Sequence, residues 1–338
     1  MNQLLFMKKF YKTILLLFFS AKIFACDVCG NFMGLTPYDN QSLITFLHRY
    51  RVFNGYRNYQ QIPNFIVPGG YYRTMHNPNG VEDSALIKNH SSKDYETYKV
   101  FELRAKYFIH PRWEVNLIFP FQQIKTKYDN DKTTNTGIAD PSLFAGYHVI
   151  KRLAGYKVRQ RLIVGAGIKF PLGNDKVENL SNQRISLLVQ NGTGSWDSFY
   201  YINYIVSRNH FGINANSLFK MNGTNKFREK FANSFNQIVN VFARFEIKNL
   251  KLFPAVLMNY EYSKGLWINN KLETGTNTKV LLAGPSLDVN YKKITLNVSY
   301  QFNVYERVSS QELSNAGRLV VGLTFNFNQS RYLISPKN

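Results

Sequence analysis

The chain has 338 residues and carries 42 lysines and arginines against 21 acids, a formal charge of +21. A hydrophobic share of 44 % and an aromatic share of 15 % exclude a disordered chain, and two cysteines exclude a disulfide-dense scaffold. No apolar run reaches the roughly 18 residues that a helical membrane span needs.

Residues 1–25 read as a secretory signal peptide. Lys8, Lys9 and Lys12 precede the apolar stretch 14–19, and Ala25 offers a small residue at the cleavage point. Residues 26–41 then form an N-terminal segment, expected in the periplasm, that opens Cys26-Asp27-Val28-Cys29. The simplest reading of Cys26 and Cys29 is a local disulfide made in an oxidising compartment. A thiol pair for metal or redox work, or a lipidated Cys26, are the alternatives. No histidine follows Cys29 for covalent haem attachment, and no second CxxC completes a zinc tetrahedron. No metal and no cofactor is expected.

From residue 42 to residue 327 the chain alternates with period two. In 318–327 one face reads Leu319, Val321, Leu323, Phe325, Phe327 and the other Arg318, Val320, Gly322, Thr324, Asn326. Such alternation belongs to a strand with one apolar and one polar face. The same pattern predicts strands over 42–54, 97–109, 112–125, 137–150, 158–170, 195–207, 210–221, 236–247, 251–263, 279–291, 293–305 and 317–327. Each is long enough to cross a hydrocarbon layer when tilted, which takes about 9–11 residues. The connectors alternate long and short, beginning 55–96, 110–111, 126–136 and 151–157. Short turns at one end and long loops at the other describe an outer-membrane barrel. The expected fold is therefore all-β: a closed antiparallel transmembrane barrel of about 12 strands with short periplasmic turns and long extracellular loops. Residues 328–338 are a polar C-terminal tail.

A soluble barrel would alternate as well, but two features favour lipid. Aromatics gather towards the strand ends of the apolar face: Tyr107, Trp113, Tyr147, Tyr204 and Tyr291 at one end, Trp196, Tyr200, Phe219, Tyr260 and Phe302 at the other. The opposite face carries charges of both signs, which a dry core holds at high cost. If the aromatic face meets lipid, the lumen holds Arg49, Arg51, Arg104, Lys106, Arg161, Lys169, Lys220, Arg244 and Arg318 against Glu102, Glu114, Asp140, Asp197, Glu246, Glu261 and Asp288. A mixed set of this kind is expected to brace the bore by cross-lumen pairs, whereas a ring of one sign would select ions. Asp197 is expected to pair with Arg161 or Arg244. Phe199, Tyr201, Phe242, Phe253 and Tyr305 would face the same lumen.

The remaining positive charge collects at the short turns. Arg112, Lys151, Arg152, Lys157, Arg159, Lys248, Lys251, Lys292 and Lys293 would form a basic periplasmic rim with no acid among them. Like charges on one collar reinforce each other's field and attract anionic surfaces. Lipid headgroups or an acidic periplasmic partner are the expected contacts. Nucleic acid is not, since these bases lie on turns of an exported chain.

Gly137-Ile138-Ala139-Asp140-Pro141-Ser142-Leu143 and Gln190-Asn191-Gly192-Thr193-Gly194-Ser195-Trp196-Asp197, with Lys169-Phe170-Pro171-Leu172-Gly173 leading into the third long loop, resemble signatures of a family of Gram-negative outer-membrane barrels. That family carries the label of transporter and is similar to barrels of the phenol-degradation meta-pathway type. The opening Cys26-x-x-Cys29-Gly30 with Phe32-Met33-Gly34-Leu35-Thr36-Pro37 resembles members from Bacteroidota. Asn191 stands where the pattern has proline. The resemblance implies a barrel with a transport role for an unspecified small solute, of apolar or aromatic character. It transfers no binding residues.

Three function classes follow. The first is passive passage of a small solute through a narrow, side-chain-lined bore, further constricted by an inward-folded first loop. The second is a structural or docking barrel acting through its basic rim. The third is a lipid-modifying enzyme, which needs a serine and a histidine side by side on the lipid face. His48 and Ser217, the outward pair available, are on distant strands, and no phosphate-binding glycine loop, carboxylate pair or metal cluster is present. The chain is therefore not expected to be an enzyme.

Overall fold

The computed structural model describes residues 41–56, 94–128, 131–152, 156–178, 182–273, 276, 278–308 and 313–328. The signal peptide, the Cys26/Cys29 segment, most of the first long loop and the C-terminal tail lie outside these residues.

Twelve antiparallel strands close into a barrel. They are β1 (Gln41–Tyr56), β2 (Tyr95–His110), β3 (Trp113–Tyr128), β4 (in two pieces, Asp131–Ile138 and Ser142–Arg152), β5 (Val158–Lys169) and β6 (Asp197–Arg208). The circuit continues with β7 (Phe211–Met221), β8 (Ser234–Ala243), β9 (Leu250–Ser263), β10 (Thr278–Tyr291), β11 (Ile294–Val308) and β12 (Leu313–Asn328). Each strand pairs with its chain neighbours, and β12 pairs with β1 from Gln41 opposite Asn328 to Tyr56 opposite Leu313. Thr45 and Thr324 share a hydroxyl hydrogen bond of 2.7 Å across this seam. Closure leaves no edge strand, the one way a sheet satisfies its backbone in hydrocarbon.

The alternation in the sequence becomes inside and outside. Leu323 and Phe325 are 38 % and 41 % exposed on the outer wall, whereas Arg318, Val320 and Asn326, at the alternate positions of the same strand, are buried. Phe46, Phe101, Leu117, Phe119, Val241, Val256 and Leu296 continue the apolar belt round the barrel, with Trp113, Tyr107, Tyr291, Trp196 and Phe302 exposed towards its ends. An apolar surface of this extent has hydrocarbon, not water, as its stable surroundings. At the short-turn end the connections 209–210, 248–249 and 292–293 are two-residue turns, in which Asn209, Lys248 and Lys292 adopt left-handed backbone at φ of 52°, 54° and 52°. This is the geometry that tight hairpins demand.

The strand bounds differ from expectation in four places, each for a local reason. Residues 126–128 and 131–136 are strand, not loop: β3 and the first piece of β4 pair in register from Phe121–Ile138 to Tyr128–Asp131, which prolongs the wall. Residues 306–308 and 313–316 likewise extend β11 and β12. The strand expected over 137–150 is interrupted at Ala139–Asp140–Pro141, because proline has no N–H to give the ladder. The strand expected over 236–247 stops at Ala243, and after Arg244 a three-residue piece, Phe245–Ile247, pairs with the start of β9.

Candidate functional site

The site is the lumen, and the third long loop closes it. At the long-loop end, residues 170–178 and 182–196 lie over the barrel, with Leu187, Leu188 and residues 190–193 reaching its interior. A small sheet of Glu229–Phe231, Leu266–Ile268 and Lys271–Leu272 lies beside them, and Leu187, Phe231 and Leu266 pack together in the roof. Hydrogen bonds fasten this roof to the wall. Gln122 Nε2 donates to the Asn191 carbonyl at 3.0 Å, and Asn135 Nδ2 donates to the Val189 carbonyl at 3.0 Å. Asn191 Nδ2 donates to Asn135 Oδ1 at 2.7 Å. Arg184 Nη1 meets both oxygens of Glu229 at 2.8 Å.

The strongest fastening is Asp140, freed for it by the break at Pro141. Its Oδ1 accepts from the Gly173 N–H at 2.9 Å, and its Oδ2 accepts from both the N–H and the hydroxyl of Thr193 at 2.9 Å. Lys169 Nζ bonds Asp140 and Thr193 and lies 3.0 Å from Asp197 Oδ2. Lys220 Nζ reaches the same oxygen of Asp197 at 2.9 Å, and the Gly223 N–H donates to its other oxygen at 3.0 Å. Gly192 and Gly173 touch backbone to backbone: a Cβ on Gly192 would stand 2.3 Å from the Gly173 carbonyl carbon.

Beneath the roof is a cavity of about 160 Å³, bounded by Arg49, Arg51 and Arg318 on one side and by Ile118, Phe199 and Leu218 on the other. Arg49 Nη2 bonds Glu102 Oε1 at 2.7 Å, and Arg104 Nε takes Glu102 Oε2 at 2.7 Å. Glu261 holds Arg318 at 2.7 Å and Arg51 at 3.5 Å. The Glu261 pairs run from β9 to β12 and β1 across the interior, whereas the Glu102 pairs stay on β1 and β2.

Further towards the short turns the bore fills. Phe144, Phe199 and Tyr201 meet edge to face at 5.5 and 5.6 Å. They lie against glycines: a Cβ on Gly165 would stand 2.2 Å from the Tyr201 ring, and one on Gly167 would stand 2.6 Å from the Phe199 ring. Below them Glu114 binds His148 Nε2 at 3.0 Å and Lys106 Nζ at 3.5 Å. Arg161 and Asp288 are buried in the lumen wall. Among the described residues no group of His, Cys, Asp and Glu could hold a metal ion.

Several expected placements change. Arg244 and Glu246 are not lumenal: they bond each other at the short-turn end, partly exposed, because the strand breaks between them. The hydrogen bond from Arg244 holds the Glu246 carboxyl below the usual carboxylate range, and Lys251 adds a contact at 3.7 Å. The basic rim therefore contains an acid. Its other members, Arg112, Arg152, Lys157, Arg159, Lys248, Lys292 and Lys293, are exposed, and Lys151 is half-buried with Nζ on the Pro111 carbonyl at 2.7 Å. Asp197 pairs with Lys169 and Lys220 rather than with Arg161 or Arg244. Tyr305 faces outwards, 40 % exposed, because a bulge at Val304 shifts the register between Leu281 and Leu282 and inverts the face. An inward fold of the first loop falls outside the described residues. Thr193, Gln190 and Asn191 were legible only as part of the motif at 190–197; as cavity-lining roof residues they had no signal of their own.

His48 on β1 stacks on Phe101 with ring centroids 4.4 Å apart. Ser217 on β7, half the circuit away, bonds Gln237. The two do not meet.

No protein-family model matches the chain, and no curated protein matches its sequence. Among solved structures, it is similar to an outer membrane channel from Pseudomonas putida F1, at 12 % identity and a TM-score of 0.61, over 89 % of this chain and 100 % of that one. The β-domain of the Bordetella autotransporter BrkA is similar at 10 % identity and a TM-score of 0.44, over 86 % of this chain and 100 % of that one. At such identities the likeness is one of fold: a barrel of the outer-membrane kind.

Proposed function

We propose that the protein is an outer-membrane channel for passive passage of a small solute, with its short turns in the periplasm and its long loops outside the cell. One observation carries this reading: a hydrated-sized cavity lined by charged side chains lies inside a wall whose outer face is apolar. A barrel serving only as an anchor has no need of a cavity fastened shut by a folded-in loop. The resemblance to barrels of the phenol-degradation meta-pathway type, and the fold shared with an outer membrane channel, support the same reading. Passage requires the roof to lift, since Asp140, Gln122 and Asn135 hold it in place. The test is single-channel recording of the purified, folded protein in planar bilayers. Unitary steps or solute-dependent block are expected. A folded but silent barrel would sink the proposal, and phospholipid turnover in the same preparation would point to an enzyme instead.

The exposed bases at the short-turn end favour a second role, contact with anionic headgroups. Lys292 also lies over the Tyr291 ring at 5.2 Å, where a cation and an aromatic share the interfacial layer. Neutralising Lys151, Arg152, Lys292 and Lys293 together is expected to weaken association with anionic vesicles. Each base near a charged surface is worth about 1 kcal/mol. Unchanged vesicle binding would remove this role.

A further inference from the structure

The outer wall is not apolar all the way to the long loops. On β2, β3 and the first piece of β4 the outward positions change character along the strands. Phe121 stands opposite both Phe101 and Ile138, and all three are exposed. Two residues further, Gln123 stands between Lys99 and Thr136, and its Nε2 donates to the Thr136 hydroxyl at 3.2 Å. Then comes Lys125 between Thr97 and Thr134, and after it Lys127 between Tyr95 and Lys132. Lys132 is exposed, and Lys99, Lys125 and Lys127 are half-buried. Lys99 Nζ lies over the Tyr50 ring at 5.8 Å. None of the four lysines has an ion pair among the described residues. The acids of β2 and β3, Glu96, Glu102 and Glu114, are buried on the inner face, and Asp94 just before β2 is buried too. Asp129 and Asp131 follow Lys127 in the chain, and Asp131 pairs with Tyr128 one position beyond the Lys127–Lys132 pair.

Height decides what meets these lysines. At about 3.4 Å per residue and a tilt of about 40°, Phe121 stands about 21 Å above Trp113, and Lys125 about 31 Å. An apolar band of about 25 Å therefore ends between them, and the amines lie at the level of the outer headgroups. Like charges directly opposite each other in a sheet repel, so Lys127 and Lys132, with Lys125 beside them, are stabilised by an anion in their midst. Lysine meets phosphate as a point charge, and the interleaved hydroxyls of Thr97, Thr134 and Thr136 suit a sugar. Beneath them Phe101, Phe121 and Ile138 offer an apolar seat. Amines and hydroxyls above, with hydrocarbon below, match a phosphorylated sugar that carries acyl chains. We propose that the outward face of β2, β3 and the first piece of β4 binds lipid A, the phosphorylated glucosamine lipid of an outer leaflet. Its phosphate meets Lys125, Lys127 and Lys132, and its acyl chains lie against Phe101, Phe121 and Ile138. The site rests on the orientation given above, with the long loops outside the cell, and not on the passage of a solute.

The test is lipid binding to the folded, detergent-solubilised protein, followed by native mass spectrometry over a titration. The probes are bisphosphorylated lipid A, the same lipid A without its phosphates, and phosphatidylglycerol. Saturable binding of the bisphosphorylated lipid is expected, about tenfold tighter than either of the others. Lys125→Gln is expected to weaken it about fivefold, and Lys125→Gln, Lys127→Gln and Lys132→Gln together about a hundredfold. Lys125→Arg, Lys127→Arg and Lys132→Arg together should retain it. Lys279→Gln should leave it unchanged, since Lys279 lies over the Tyr262 ring at 5.1 Å on β10, four strands from β2. The folded state of each variant is checked by its heat-dependent electrophoretic mobility. Equal binding of the two lipid A forms, a glutamine triple that binds like the parent, or a loss on Lys279→Gln as large as on Lys125→Gln would overturn the site. Phosphatidylglycerol bound as tightly as bisphosphorylated lipid A would overturn it too, in favour of unselective attraction to anionic headgroups. A barrel that selects lipid A yet is silent in bilayers keeps the site and loses the passage. One that conducts without selecting lipid A loses the site and keeps the passage.

Discussion

Asp140→Ala is expected to open the channel and weaken the barrel at once. The carboxylate accepts from the Gly173 and Thr193 backbone, from the Thr193 hydroxyl and from Lys169. Without it, Lys169 is left 2 % exposed with Asp197 shared against Lys220. Removing one partner of a buried pair costs about 3–5 kcal/mol, and two backbone donors lose their acceptor as well. The roof residues Gln190–Thr193 would then be tied to the wall mainly through Gln122 and Asn135. Larger and more frequent conductance steps than in the parent, together with a lower midpoint of denaturation, are the expected readings. A variant with parental conductance would show that the roof does not gate passage.

Glu261→Ala is expected to give the largest loss of stability with the roof intact. Glu261 neutralises Arg318 and Arg51 from across the lumen and takes a hydrogen bond from Asn259 at 2.9 Å. Its removal leaves two guanidiniums facing each other across the β1–β12 ladder, again at about 3–5 kcal/mol. The distinguishing measurement is a double-mutant cycle. Arg318→Met alone and Glu261→Ala alone should each destabilise, while the pair together should lose less than their sum, because both changes break the same ion pair. Strict additivity would mean that Glu261 acts through packing rather than charge.

The strands were legible in the sequence because lipid on one side and charge on the other impose period two for the whole length of each crossing. Leu319 to Phe327 show this plainly. The partners inside the lumen were not legible, for a physical reason. Which inward residues meet across the bore depends on how far the strands are staggered round the barrel, and alternation carries no information about stagger. Asp197 could therefore be seen to face inwards, yet its partnership with Lys169 and Lys220 could not. Tyr305 and Arg244 were misplaced by single-residue events, a bulge at Val304 and a break after Ala243, which flip or release everything beyond them. Glycine inside a strand ordinarily weakens it, and Gly165 and Gly167 stand inside β5. They are seats for Tyr201 and Phe199, a role visible only once the opposing rings are in place. The roof escaped notice because long loops have no periodicity from which to read direction.

The pairing of β1 with β12 joins segments separated by 279 positions at Thr45 and Thr324, and this sets the order of assembly. Every other adjacent pair in the wall can zip as a local hairpin, but this one must wait for the whole polypeptide to be delivered and curled round. Truncation before Leu313 would therefore not yield a smaller cylinder. It would leave the donors and acceptors of Gln41–Tyr56 facing acyl chains that cannot satisfy them, so the shortened product should stay with chaperones or be degraded.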